Sequence, residues 1–195
     1  VGATGTVTAV DLEPHFLEAD PPANLEVHRR DIIADGIPGR DYDLIHARML
    51  LMHLPGRDAV MADLVARLRP GGVILLEEGD LYPCATADSA VFSRVWERAC
   101  AVTAGAGADW YWARHLPAGL VAAGAAGVAS ATESWTFAGG TPWAQLHAMT
   151  IEQLAPVLVA DGLEAELLSD FNAELSDPGR WFPSVAAIAA WGHRP

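Results

Sequence analysis

Apolar and polar positions change period along the chain, and each change predicts an element. Thr6-Val7-Thr8-Ala9-Val10-Asp11 is rich in β-branched residues and ends in an acid, which predicts a strand over 6–11. Leu25-Glu26-Val27-His28-Arg29-Arg30-Asp31 alternates and predicts a second strand, again ending in Asp. Tyr42-Asp43-Leu44-Ile45-His46-Ala47 predicts a third, after the turn residues Gly36, Pro38 and Gly39. Over 57–68 the period lengthens. Val60, Leu64 and Leu68 lie four apart beside Met61 and Val65, with Asp63 and Arg67 facing outward, so this segment reads as an amphipathic helix. Pro70-Gly71-Gly72 stops it, and Val73-Ile74-Leu75-Leu76-Glu77-Glu78 follows as the continuous apolar run expected of a central strand covered on both faces.

The second half is more helical. Val91, Val95, Ala99 and Val102 form one stripe, and Leu116, Leu120 and Ala123 run to a stop at Gly124. A strand is expected over 128–137, ahead of Gly139-Gly140. Two helical patterns follow, the clearer through Leu163, Leu167, Phe171 and Leu175, and a closing strand is expected over 184–191. Strands alternating with helices predict an α/β, Rossmann-like fold, with a mostly parallel sheet and helices on both faces.

Composition narrows the partners. A chain of 195 residues, 51% apolar, can bury one substantial core, so a single domain over 1–195 is expected. A net charge of −13 argues against nucleic acid and against an anionic membrane surface. No apolar run reaches the ~18–20 residues that span a bilayer, and no signal-peptide pattern opens the chain. Cys84 and Cys100 are the only cysteines and have no CxxC spacing, so neither a disulfide framework nor a metal site is indicated. A cytoplasmic protein is expected, and a homodimer is allowed.

In an open α/β sheet, ligands bind beyond the carboxyl ends of the strands. Asp11, Asp31, Ala47-Arg48 and Glu77-Glu78-Gly79-Asp80 all fall there. The Asp11 carboxylate offers two acceptor oxygens to a ribose diol, and Asp31 offers an acceptor to an adenine amino group.

The order of these segments resembles small-molecule, class I S-adenosylmethionine-dependent methyltransferases. Residues 5–11, Asn24-Leu25-Glu26-Val27 and Asp31-Ile32 are similar to that family's second and third strands. Residues 42–48 resemble its fourth, Leu51-Met52-His53-Leu54-Pro55 the helix start after it, and Leu68-Arg69-Pro70-Gly71-Gly72 the turn before its fifth strand. The resemblance implies S-adenosylmethionine as cofactor, with Asp11 and adjacent Leu12 at the ribose, Asp31-Ile32 at the adenine and Ala47-Arg48 near the methionine part. It divides the chain into a cofactor-binding half, 1–80, and acceptor-pocket helices with closing strands, 81–195. The family's first strand and glycine-rich loop have no counterpart: Gly2-Ala3-Thr4-Gly5 sits directly before the strand ending in Asp11, with no room for a helix between. The chain is therefore expected to be N-terminally truncated and inactive as written.

Each assignment has a structural rival. Arg48 is equally an ion-pair partner for Asp31 or Glu78. His53 stands where a general base could sit, yet a histidine inside Leu-Met-His-Leu also reads as a packed helix residue. Glu78, Trp112, Trp143 and His147 are the expected acceptor-pocket residues, although Asp109-Trp110-Tyr111-Trp112 also reads as packing between helices. The expected function is methyl transfer to a small organic molecule. The rivals are a non-catalytic binding or dimerisation module and a methyltransferase scaffold recruited for another reaction.

Overall fold

The computed structural model of the chain describes residues 1–18 and 20–195. Strand β1 (Val7–Asp11) runs parallel to β2 (Leu25–Arg29), with α1 (His15–Glu18) in the link between them. Strand β3 (Tyr42–Arg48) runs parallel to β4 (Leu68–Asp80), connected through α2 (Arg57–Arg67). The later elements are α3 (Tyr82–Ala85), α4 (Ala90–Ala104), α5 (Leu116–Ala122), β5 (Ala126–Glu133), β6 (Thr136–Ala138), α6 (Pro142–Ala160), α7 (Ala165–Ser176), β7 (Trp181–Pro183) and β8 (Ala186–His193). Strand β8 inserts between β4 and β5, giving the order β3-β4-β8-β5, while β6 and β7 form a separate ribbon. Among the described residues, no helix is long and apolar enough to cross a membrane.

The sheet is mixed rather than mostly parallel. Both parallel pairings belong to the first half, and β8 is antiparallel to β4 and to β5. The cause is the route of the chain. Strand β8 begins with Ala186 opposite Asp80, the last residue of β4, so it must run back along its neighbour. The strand expected over 128–137 divides into β5 and β6 for a related reason, since β6 leaves the sheet to pair with β7.

Helices bury one face of the four-stranded sheet. Ile45, Ala47, Ile74, Leu76, Ile188 and Ala190 pack there against Val60, Met61, Leu64 and Val65 of α2 and Leu116 and Leu120 of α5. The other face is open at Leu44 (56% exposed), Val73 (39%) and Trp191 (37%). Coverage of both faces, expected from the apolar run in β4, is thus met on one face only among the described residues. A second core forms beyond the end of β4, where α4, α6, α7 and the β6–β7 ribbon close around Phe92, Phe171 and Phe182. Phe92 stacks on Phe171 with ring centroids 5.6 Å apart.

Two strand edges face each other. Among the described residues β1 is paired only with β2, and β3 only with β4. Thr8, Val10 and Asp11 look across at residues 42–49 over a cavity of about 300 Å³.

The segment Pro70-Gly71-Gly72 does follow the end of α2, but as a bulge inside β4. Between the pairs Tyr42–Leu68 and Leu44–Val73, β3 advances two residues while β4 advances five. The chain terminus holds this bulge: Gly71 N donates to Arg194 O at 2.8 Å, Arg194 N donates to Gly72 O at 2.9 Å, and the Arg194 guanidinium donates to Ala66 O at 3.1 Å. A Cβ on Gly72 would lie 2.6 Å from Tyr42 O and 2.9 Å from Arg69 O, both backbone atoms. Gly72→Ala should therefore destabilise the protein by about 1–3 kcal/mol, the range of overpacking strain. Urea unfolding measures this, and an unchanged midpoint would show that the bulge opens freely.

Candidate functional site

The strand ends converge as their acids and apolar neighbours require. Asp11, the last residue of β1, Ile32 after β2, and Ala47 and Arg48 at the end of β3 all line the cavity between β1 and β3. Asp11 Oδ1 accepts from Glu13 N at 2.8 Å, which turns the chain sharply out of the strand. Its Oδ2 takes no bond among the described residues. Arg48 likewise makes no ion pair among the described residues, so neither Asp31 nor Glu78 neutralises it.

Two residues expected at this site are elsewhere. Asp31 does not line the cavity; its Oδ1 accepts from Ile33 N at 2.8 Å and caps the turn that follows β2. Short acids favour this use, because their carboxylate reaches the backbone two residues on. Leu12 points into solvent, while its carbonyl accepts from Arg29 Nε at 3.1 Å.

Beyond β3 the chain turns through Met49, a non-glycine residue at φ 51°. The turn is held by Glu78, 2% exposed, whose Oε1 accepts from Leu51 N at 2.7 Å and Leu50 N at 3.2 Å. These amides start the 3₁₀ turn Leu51–His53, so the carboxylate serves as its cap. Burial raises the Glu78 pKa from its ordinary value, and the amide bonds oppose that rise. The next residues of β4 are also engaged. Glu77 lies 2.7 Å from His46 Nε2, and fully buried Asp80 takes a two-pronged hydrogen bond from Arg114 at 2.7 and 2.8 Å.

Arg48 and Met49 also form one wall of a second, larger cavity of about 590 Å³. Its floor is the open face of β4, β8 and β5, through Glu77, Gly79, Ala189 and Ala131. Its far wall is α6, with Trp143, Leu146, His147 and Thr150, joined by Trp96 and Trp110. Glu78, Trp143 and His147 line it as expected, although the Glu78 carboxylate is committed to the turn amides. His147 is only 4% exposed and is held between Phe137, with ring centroids 4.9 Å apart, and Trp96, at 5.2 Å. Desolvation lowers its pKa to about 4, so it is neutral at physiological pH.

Trp112 and His53 line neither cavity. Trp112, 7% exposed, belongs to the core under the sheet, where the Arg57 guanidinium lies 5.4 Å from its ring centre. The packing alternative for this tryptophan is the one realised. His53 lies edge-on to Trp110 at 5.2 Å; desolvation first and the Arg57 charge second lower its pKa. Sequence reading missed Met49, Trp96, Trp135 and Ser184 as cavity residues, and it favoured packing between helices for Trp110, which lines the cavity. The available signal was the number of tryptophans, seven in 195 residues, clustered around segments with no strand-end motif.

Residues 1–76 match the sequence family described as the methyltransferase domain. No curated protein matches the chain. Among solved structures, a methyltransferase-class protein of Bacillus halodurans C-125 superposes with a TM-score of 0.59 at 16% identity, covering 97% of this chain and 83% of that one. Phosphoethanolamine N-methyltransferase 2 of Haemonchus contortus, solved with phosphomonomethylethanolamine and S-adenosylhomocysteine, superposes at 0.55 and 14% identity. That match covers 97% of this chain but only 43% of the Haemonchus enzyme, so this chain spans less than half its length. The cyclase SpnF shares the fold at a TM-score of 0.53 and 14% identity, over 97% of this chain and 67% of its own.

The depressed His147 value has a consequence for stability. A buried neutral imidazole resists protonation, so its contribution is present above its ordinary value of 6.5 and is lost as pH falls toward about 4. The full loss is about 3 kcal/mol. Glu78 acts in the opposite sense in acid. Comparison of wild type with His147→Phe, which retains Glu78, isolates the histidine. Urea unfolding across this pH range should give a steeper decline for wild type, and parallel curves would show that His147 is solvated.

Proposed function

We propose that the protein transfers a methyl group from S-adenosylmethionine to a small organic molecule, a reading supported by the match of residues 1–76 to the methyltransferase-domain family and by the fold shared with solved methyltransferases. The observation that carries this reading is the shared wall at Arg48–Met49. A narrow cavity at the strand ends and a wide aromatic cavity over the sheet meet at the same two residues. Two separate ligands would thus approach one another there.

The donor set of the narrow cavity suits an adenosine. Asp11 Oδ2 is an unused acceptor for a ribose hydroxyl, and Ile32 and Ile37 offer apolar surface to a base. Arg48, without an ion-pair partner among the described residues, brings a cation to the junction that suits a carboxylate. S-adenosylmethionine supplies a methyl group already activated on a sulfonium, so the protein need only orient the acceptor and exclude water. An acceptor atom that is already nucleophilic needs no base, and His53, lining neither cavity, is given no role.

The facing edges of β1 and β3 and the open face at Leu44, Val73 and Trp191 support a companion reading. In the active protein, a further strand fills the slot between β1 and β3, and a helix covers that face. Such a strand would also bring backbone donors to the cofactor that the present cavity lacks.

Calorimetric titration with S-adenosylmethionine tests both readings. A form lengthened upstream should bind the cofactor, and Asp11→Ala in that form should weaken binding by roughly 1–3 kcal/mol. The chain as given should bind far more weakly and turn over negligibly, because misplacement by about 1 Å already costs ~100-fold in rate. Equal affinity for the two lengths would overturn the slot reading, and no affinity in either would overturn methyl transfer.

A further inference from the structure

The wide cavity carries a chemical signature finer than its size. Four indoles line it, in two angled pairs: Trp135 and Trp143 with ring centroids 4.8 Å apart, and Trp96 and Trp110 at 5.9 Å. Flat rings bind well among such walls, because indoles offer large rigid faces and edges to a second aromatic system.

The polar atoms are more telling. Among the described residues, five buried side-chain nitrogens and oxygens have no hydrogen-bond partner. Four belong to residues of this cavity: Trp96 Nε1, Trp135 Nε1, His147 Nδ1 and Ser184 Oγ. Buried polar groups are almost always paired, so four orphans around one space point to a missing partner there. Trp110, on the same wall, shows the ordinary case, since its Nε1 donates to Thr103 Oγ1 at 2.8 Å.

Donor and acceptor roles define that partner. An indole N–H only donates, so Trp96 and Trp135 require acceptor atoms on the ligand, whereas Ser184 and neutral His147 can donate or accept. The interior of the space offers a charged group little to pair with. The Glu78 carboxylate is taken by amides and Glu77 by His46, which leaves Arg48 at the junction and Glu133 on an exposed strand. A charged group in the interior would therefore be desolvated without a partner.

We infer that the wide cavity binds an uncharged aromatic ring system bearing oxygen acceptors, such as a phenol or a ring ketone. As an identification of the methyl acceptor it rests on the reading above; as a binding site it stands alone.

The test is titration of this chain, without cofactor and at neutral pH, against 2-naphthol, naphthalene, choline and 2-naphthoate. The expected result is saturable binding of 2-naphthol, about tenfold tighter than naphthalene, with choline and 2-naphthoate weaker than 2-naphthol. Trp135→Phe keeps an aromatic ring but removes the donor. Ser184→Ala removes a hydroxyl that has no internal partner to lose, so that variant should fold normally. Each should weaken 2-naphthol about three- to tenfold and leave naphthalene within about twofold. Naphthalene matching 2-naphthol, choline binding tightest, or both variants leaving 2-naphthol unchanged would each overturn the inference. Neither cofactor nor turnover enters this measurement, so failure of methyl transfer registers separately, in the S-adenosylmethionine titration.

Discussion

The short bond from Leu51 N to the Glu78 carboxylate, 2.7 Å long and shielded from water, is the constraint on which the site depends. A carboxylate taken out of water must find donors, and among the described residues Glu78 finds them in the amides that open the turn after β3. Satisfying it forces the chain to reverse direction within two residues of Arg48. Met49 is thereby placed in the left-handed region, which is unfavourable for a side chain of its kind. The strain is local, and its product is a partition between two spaces of different chemistry, one lined by strand ends and the other by indoles.

The neighbouring residues of β4 reinforce the same end of the sheet. Glu77 points to the open face and meets His46, while Asp80 holds Arg114, whose guanidinium lies between Tyr82 and Tyr111 at 5.6 and 5.8 Å. Three acids within four residues thus take three different partners, on β3, on the turn and ahead of α5. Together they join the core under the sheet to the helical core beyond it, whose apolar clusters are otherwise separate. The wide cavity lies over this junction, with a floor of sheet residues and a wall from α6.

Much of the framework was legible in the chain. A β-branched run marked β1, an alternating run marked β2, turn residues ahead of an apolar run marked β3, the four-residue stripes marked α2 and α4, and position at strand ends marked Asp11 and Arg48. What was not legible depended on pairing. Nothing in 184–191 says that this strand runs against β4 rather than along it, because side chains alternate identically in either direction. Asp31 and Asp11 look alike in sequence, yet Asp31 spends its carboxylate on its own turn. Trp112 and Trp143 were also equivalent on paper. One fell under the sheet and the other over it, a distinction that needs the path of α6 rather than the identity of the residue. Ser184 carried no signal, since an unpartnered hydroxyl becomes visible only once its surroundings are known.

The position of β8 has a consequence for how the molecule is made. The last strand in the sequence is an interior strand of its sheet, and Arg194, next to the final residue, bonds to the chain around the bulge of β4. During synthesis β4 and β5 therefore exist for more than a hundred and for several tens of residues, respectively, before their common neighbour emerges. Until then each shows a bare edge, and the helical core, whose buried segments all precede β8 in the chain, can assemble first. Formation of the four-stranded sheet therefore waits for β8. The wide cavity, whose floor includes β8, takes shape only once that strand is in place.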